Sequence, residues 1–276
     1  MLGTCLAGTK WQPVEESPAR DIRTFRPSAN GFAFVNRFTG SPIPFSLGGL
    51  ENKLGTPSAF GLCGGMSFAA ADFFLAHRTP PARATPPSKR DGRALFDFIQ
   101  QRQMATFGPQ MRLAARFGRW MSLPDVGPFG TRTMTIAELD DIRAGLSAGQ
   151  PIVLGLVFNH HGANKEASGP AGVAWENHQV LAYDMAPSPR SRGTASIRIY
   201  DPNYPGRDDV RIVCRVRVAG MAMVGPWGGV QVPVLGVECE RVIGEVGGKG
   251  AREPTRVRGL FVMPYMAARL PEKVEE

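Results

Sequence analysis

The spacing of apolar residues changes near the middle of this chain. Residues 1–30 are polar and interrupted by proline, an irregular lead-in. Gly31–Phe38 (GFAFVNRF) alternates like a strand, with Phe32, Phe34 and Asn36 on one face and Ala33, Val35 and Arg37 on the other. A Gly- and Pro-rich loop follows to about Gly61. From Cys63 to about His77 the pattern predicts a helix with Met66, Ala70, Phe73 and Phe74 on one side. The proline-rich stretch Thr79–Arg90 reads as a surface loop. Two further helices are predicted over about 93–106 and 109–121. Thr135-Ile136-Ala137-Glu138 has the form of a capping box, so a helix is expected from Thr135 to Gly149. Beyond Gln150 the period shortens. Strands are predicted over about 151–158, 178–185, 195–200, 210–218, 230–241 and 256–263. A mainly helical part (31–150) followed by a mainly β part (151–270) predicts an α+β fold with an antiparallel sheet, and one domain over 1–276.

Composition narrows this picture. The chain has 276 residues, 43% hydrophobic and 20% charged, enough to bury a sizeable core. No apolar run reaches the ~20 residues of a membrane helix. The first ten residues lack a basic and then apolar leader, so the protein is expected to be cytoplasmic, or exported without a classical signal peptide. The net charge of +8 raises the question of nucleic acid. Arg112, Arg116 and Arg119 form one helical stripe, but no nucleic-acid motif accompanies them and the stripe reads as a solvated face. Four cysteines (Cys5, Cys63, Cys214, Cys239) and four histidines show no metal-ligand spacing, so neither metal nor cofactor is expected. Reduced thiols are the simplest reading, with Cys214 in the core of its strand.

Candidate chemistry gathers at two places. Gly61-Leu62-Cys63-Gly64-Gly65-Met66 sets a cysteine where a glycine-rich turn enters a helix. Unpaired N–H groups and the helix dipole favour a thiolate there, and the two glycines are expected to leave room for a substrate. His178 opens one predicted strand, and the next ends in Tyr200-Asp201-Pro202-Asn203. The turn between them is centred on residue 190, so hairpin partners have numbers that add to about 380. That places Asp201 or Asn203 opposite His178, close enough to hold an imidazole N–H. The alternation Ile197-Ile199-Asp201 favours Asp201, with Asn203 shaping the turn.

The order Cys63, His178, then Asp201 or Asn203 resembles the papain-like cysteine peptidase superfamily. In detail, GLCGGMSFAAADFF, HQVLAYDM and IRIYDPNYPG look like a little-characterised bacterial branch. The histidine and Asp-Pro arrangement is also similar to that of bacteriocin-leader-processing peptidases. The resemblance implies a nucleophile helix packed on an antiparallel sheet, with Cys63 as nucleophile, His178 as general base and acid, and Asp201 as orienter. It implies a peptide or protein substrate and a hydrolase forming a thioester acyl-enzyme, or a transferase of the transglutaminase type if an amine resolves that intermediate.

One departure stands out. The family places a glutamine several residues before the nucleophile to bind the oxyanion, and residues 54–60 contain none. Asn52 or Asn36 is the expected substitute, alongside the backbone N–H of Cys63. The same departure supports an alternative: a weak or inactive module that binds a peptide or protein in the cleft. The charge supports a third reading, a binder of an acidic polymer. The residues leave the oligomeric state open.

Overall fold

The computed structural model describes residues 20–39, 59–108, 112–158, 177–187, 193–224, 229–245, 250–272 and 274. The chain is α+β. Among the described residues, five α-helices, α1 (Pro27–Asn30), α2 (Cys63–Leu75), α3 (Arg93–Ala105), α4 (Arg112–Ser122) and α5 (Thr131–Ser147), precede most of the strands. A small pair, β1 (Phe38–Thr39) and β2 (Ala59–Phe60), brackets the approach to α2. The main sheet consists of β3 (Ile152–Val157), β4 (His178–Pro187), β5 (Thr194–Tyr200), β6 (Val210–Val224), β7 (Val230–Ile243), β8 (Arg252–Val257) and β9 (Gly259–Met263). Its order is β8-β7-β6-β5-β4-β3-β9, antiparallel at every pairing.

That order carries a geometric constraint. β8 and β9 occupy opposite edges of the sheet, yet only Arg258 separates them in sequence. Consecutive Cα atoms are ~3.8 Å apart, so both edges must meet at Arg258 and the sheet curls into an open barrel. The corner is held on three sides. The Arg258 N–H donates to Val157 O at 2.8 Å, and its guanidinium pairs with Asp125 at 2.7 Å and donates to Leu123 O at 2.8 Å. At Gly259 a Cβ would strike the Trp120 ring at 2.8 Å, which accounts for the glycine.

Helix α2 is buried on all sides, from Gly64 to Phe74, rather than on one face as its pattern suggested. It lies between α3 and the sheet at β4, and its Ala-rich middle permits close approach on both sides. Its Asp72 forms a buried ion pair with Arg102 of α3 at 2.7 Å and accepts hydrogen bonds from Tyr265 Oη at 2.6 Å and Ala268 N at 3.0 Å. These bonds fasten the chain beyond β9 onto the helices.

Two expectations fail for tertiary reasons. Gly31–Phe38 is not a strand. Phe32 and Phe34 are buried in alternation, but they pack on each other and Phe32 packs on Phe73, while pairing is confined to β1. The capping box is not a cap either. α5 starts at Thr131, four residues earlier than predicted. Thr135 Oγ1 accepts from Leu260 N at 3.3 Å, and Glu138 accepts from Val262 N at 2.8 Å. Both side chains satisfy the outer edge of β9, which no described strand covers. Arg116 ties in with them, pairing with Glu138 and donating to Val262 O at 2.8 Å. The middle member of the basic stripe is thus a structural tie, not part of a solvated face.

Thr135→Val keeps the shape of this contact and removes its acceptor. The Leu260 N–H would be left buried and unpaired, at a cost of about 1–3 kcal/mol. Urea unfolding should show a loss of that size, and a change within error would mean the β9 edge is satisfied another way.

Candidate active site

The site forms where α2 starts, β4 starts and β5 ends. Leu62 caps α2 without a side-chain bond of its own, and its N–H donates to Asn36 Oδ1 at 2.6 Å. Cys63 follows as the first helical residue, half-buried and unoxidised. The Gly65 N–H is taken by Gln103 Oε1 at 2.8 Å. Among the described residues, the N–H groups of Cys63 and Gly64 have no partner. They form the open positive end of the helix.

The glycines after the cysteine serve packing rather than substrate access. A Cβ on Gly64 would lie 2.0 Å from Gln179 Oε1 and 2.8 Å from Thr106 Cγ2, and one on Gly65 would lie 2.2 Å from Ile99 O. Both positions face the interior, where α3 and β4 close on the helix. Ser67, one turn after the cysteine, donates to Gln179 O at 3.3 Å and ties α2 directly to the start of β4.

His178 is the first residue of β4, buried and opposite Leu156 of β3. The β4–β5 hairpin has the register Leu181↔Tyr200 and Ala182↔Ile199. Extended straight, that register would set Asn203 against His178. The ladder stops at Tyr200, however, and the chain turns, with Tyr204 N donating to Asp201 O at 2.8 Å. Asp201 is therefore the residue that reaches back, and its Oδ1 lies 2.6 Å from His178 Nε2. With Nε2 engaged there, Nδ1 remains, and Cys63 lies near enough to the ring to raise its pKa.

Asp201 is buried and fully compensated. Oδ1 also accepts the Asn203 N–H at 2.9 Å, and Oδ2 pairs with Arg241 Nη1 at 3.0 Å. Arg241 is held in turn over the rings of Phe158 and Tyr204. Burial alone would raise the Asp201 pKa, but the attraction and hydrogen bond of His178, then Arg241 and the Asn203 N–H, bring it below the usual carboxylate value. Burial likewise pushes His178 down, but the Asp201 charge, Cys63 and the two hydrogen bonds outweigh it and raise the imidazole to about 10.

Asn36 and Asn203 join the two halves of the site. Asn36 Nδ2 donates to Asn203 Oδ1 at 3.1 Å, and the Asn36 N–H donates to Pro202 O at 3.0 Å. One amide thus bridges the turn before Cys63 and the turn after Asp201. Asn52 lies outside the described residues, as does Cys5. Cys214 and Cys239 are buried as a cross-strand pair on β6 and β7, with sulfurs 3.3 Å apart. Among the described residues no cluster of three or more His, Cys, Asp or Glu side chains could hold a metal ion. None of the described helices is long and apolar enough to cross a membrane.

Arg241, Gln103 and Ser67 escaped the sequence reading. Only Arg241 left a trace there. It falls in phase with the buried residues Val237 and Cys239 of β7, and an inward-facing arginine needs an acidic partner. No protein-family model, curated protein or solved structure matches this chain.

Arg241→Met removes one of the charges that hold Asp201 ionised, so the Asp201 pKa should rise. NMR of the Asp201 carboxyl carbon measures this, and an unmoved titration would remove Arg241 from the site. The pH dependence of stability has a definite sign as well. His178 is raised above its ordinary value of 6.5, so its contribution is complete below about pH 6.5 and is lost as pH rises through about 10. The stability gap between wild type and His178→Gln should therefore shrink from pH 7 to pH 10 in denaturant titrations. A constant gap over that range would contradict the assigned pairing.

Proposed function

We propose that this chain is a papain-like cysteine hydrolase of peptide or other amide bonds, with Cys63, His178 and Asp201 as its catalytic triad. One observation carries the reading: a cysteine at a helix N-terminus stands beside a histidine that a buried carboxylate holds from behind, 2.6 Å from its Nε2. The order of the three along the chain, and the antiparallel sheet beneath two of them, support it further.

The reaction divides into two steps. The Cys63 thiolate attacks the substrate carbonyl carbon, and negative charge moves onto its oxygen. The N–H groups of Cys63 and Gly64 point from the helix end toward the place where that charge develops. His178, as imidazolium, protonates the departing amine while the carbon–nitrogen bond breaks, leaving a thioester on Cys63. Neutral His178 then takes a proton from water, which attacks the thioester. The acid product leaves, and the proton returns to the sulfur–imidazole pair. Asp201 keeps the ring aligned and its Nε2 proton in place throughout. Asn36, engaged at both ends of its amide, braces the two turns. The oxyanion contacts then fall to the backbone, with Asn52 as the remaining side-chain candidate. If an amine replaces water, the same residues perform acyl transfer.

Brief iodoacetamide treatment at pH 6 followed by peptide mass analysis tests the first requirement. Cys63 should be alkylated well before Cys5, Cys214 and Cys239. Acylation by an activated ester tests the second. Cys63→Ala should abolish it, and Asp201→Ala should slow it on the order of 10²–10⁴-fold, far more than Asn203→Ala. Selective alkylation without any acylation would favour the binding-module reading, to which the missing glutamine already points. No selectivity at all would defeat the triad.

A further inference from the structure

The β6–β7 hairpin runs well past the sheet to which it belongs. β5 pairs with β6 only as far as Arg215, and β8 pairs with β7 only from Cys239 onward. Between those limits, β6 and β7 pair with each other out to Val224↔Val230. Ala219 and Gly236 are still covered, with Arg132 of α5 packed on the glycine, but beyond them the ribbon projects. The loop before α5 lies against it, with the Gly127 N–H donating to Ala219 O at 2.7 Å.

This projection is apolar to a degree found nowhere else on the described surface. Of eleven exposed large hydrophobic side chains, nine lie on the ribbon or on that loop. Phe129 is 79% exposed, Val218 and Val230 61%, Met223 57%. From Val218 to Val237 the sequence contains no charged residue, in a protein of net charge +8. Scattered apolar residues are ordinary on a surface, but a contiguous patch marks an interaction site.

We propose that the ribbon and the adjoining loop form a homodimer interface, in which two copies meet about a two-fold axis and pair the outer edges of β6 over Met221–Val224. Three features select a second copy as the occupant. The area is right: nine side chains, each exposing on the order of 100 Å², approach the ~800 Å² per partner of a stable interface. The backbone needs a partner as well, because no described strand covers the outer edge of β6 beyond Ala219. A hydrocarbon phase cannot satisfy N–H and C=O groups, whereas an antiparallel strand pairing with its own copy is self-complementary. β7 is the less suitable edge, since Pro233 removes a donor there. Charge completes the argument: two molecules of +8 repel, and this is the face on which they approach without juxtaposing like charges. An acidic partner would be drawn to the arginines elsewhere.

Sedimentation velocity of the full chain from about 1 to 100 µM should show a dimer. Met223→Glu and Val230→Glu change exposed positions and should leave the circular dichroism intact, and the melting temperature as well at concentrations where wild type is monomeric. Each should weaken dimerisation at least about tenfold, since it places like charges at the symmetric interface. Hydrogen exchange gives a second readout: amides of 221–224 should be protected at high protein concentration and lose protection on dilution. A chain that stays monomeric at 100 µM, or a dimer that neither substitution weakens, overturns the proposal. So does a monomer that co-sediments with phosphatidylglycerol vesicles and loses that binding in Met223→Glu, which would assign the ribbon to a lipid surface.

Discussion

A carboxylate buried to its last atom stays ionised only if the surrounding groups replace the water it has lost. Asp201 meets that demand with partners from four places: His178 at the start of β4, Asn203 in its own turn, Arg241 on β7, and, through Asn203, Asn36 before the nucleophile helix. The position of each is restricted by the need to reach one residue. The end of β5, the register of β7 and the turn carrying Cys63 are thereby referred to a common point. A shift of any of them by one residue would leave a buried charge without compensation, at an energy comparable to the net stability of a domain.

The scaffold around that point is close-packed enough to hold it. Gly64 and Gly65 let α3 and β4 approach the first turn of α2 where no side chain would fit, and Ser67 joins that turn to the strand of His178. The curl of the sheet, forced by the single residue between β8 and β9, brings Trp120 and α5 onto the far edge. Thr135, Glu138 and Arg116 finish that edge with side chains in place of a strand. A site assembled from a helix end and two strand ends gains its precision from such contacts, because strand termini on their own fray.

The two ends of the sheet handle exposed backbone in opposite ways. At β9 the open edge is sealed by side chains of α5. At the far end of β6 it is left open and surrounded by apolar, uncharged side chains. The first arrangement protects a monomer, and the second suits association. The ribbon projects from the end of β7 away from Arg241, so the chemistry proposed for Cys63 and the association proposed for the ribbon can be tested separately.

Periodicity and turn chemistry in the sequence by themselves determined the order of the long helices and of strands β3 to β7, the placement of Cys63 at a helix start, and the hairpin that carries His178 and Asp201. These are short-range properties, and each can be read within a window of some twenty residues or one tight turn. Even the choice between Asp201 and Asn203 lay within reach through the alternation after Ile197. The tertiary structure decided the rest. The single strand expected over 256–263 is instead two, β8 and β9, divided at Arg258. Gly31–Phe38 has the alternation of a strand, but among the described residues only Phe38 pairs, with Phe60, and Phe32 packs on Phe73 of α2 instead. Thr135 and Glu138 have the spacing of a cap but serve β9, more than a hundred residues away. Arg241 falls in phase with buried residues along β7, but that the acid it meets is Asp201 follows only from where β7 lies. A local pattern records which face of an element is apolar; which distant charge or backbone edge that face will meet depends on sheet order and closure, and no local window contains them.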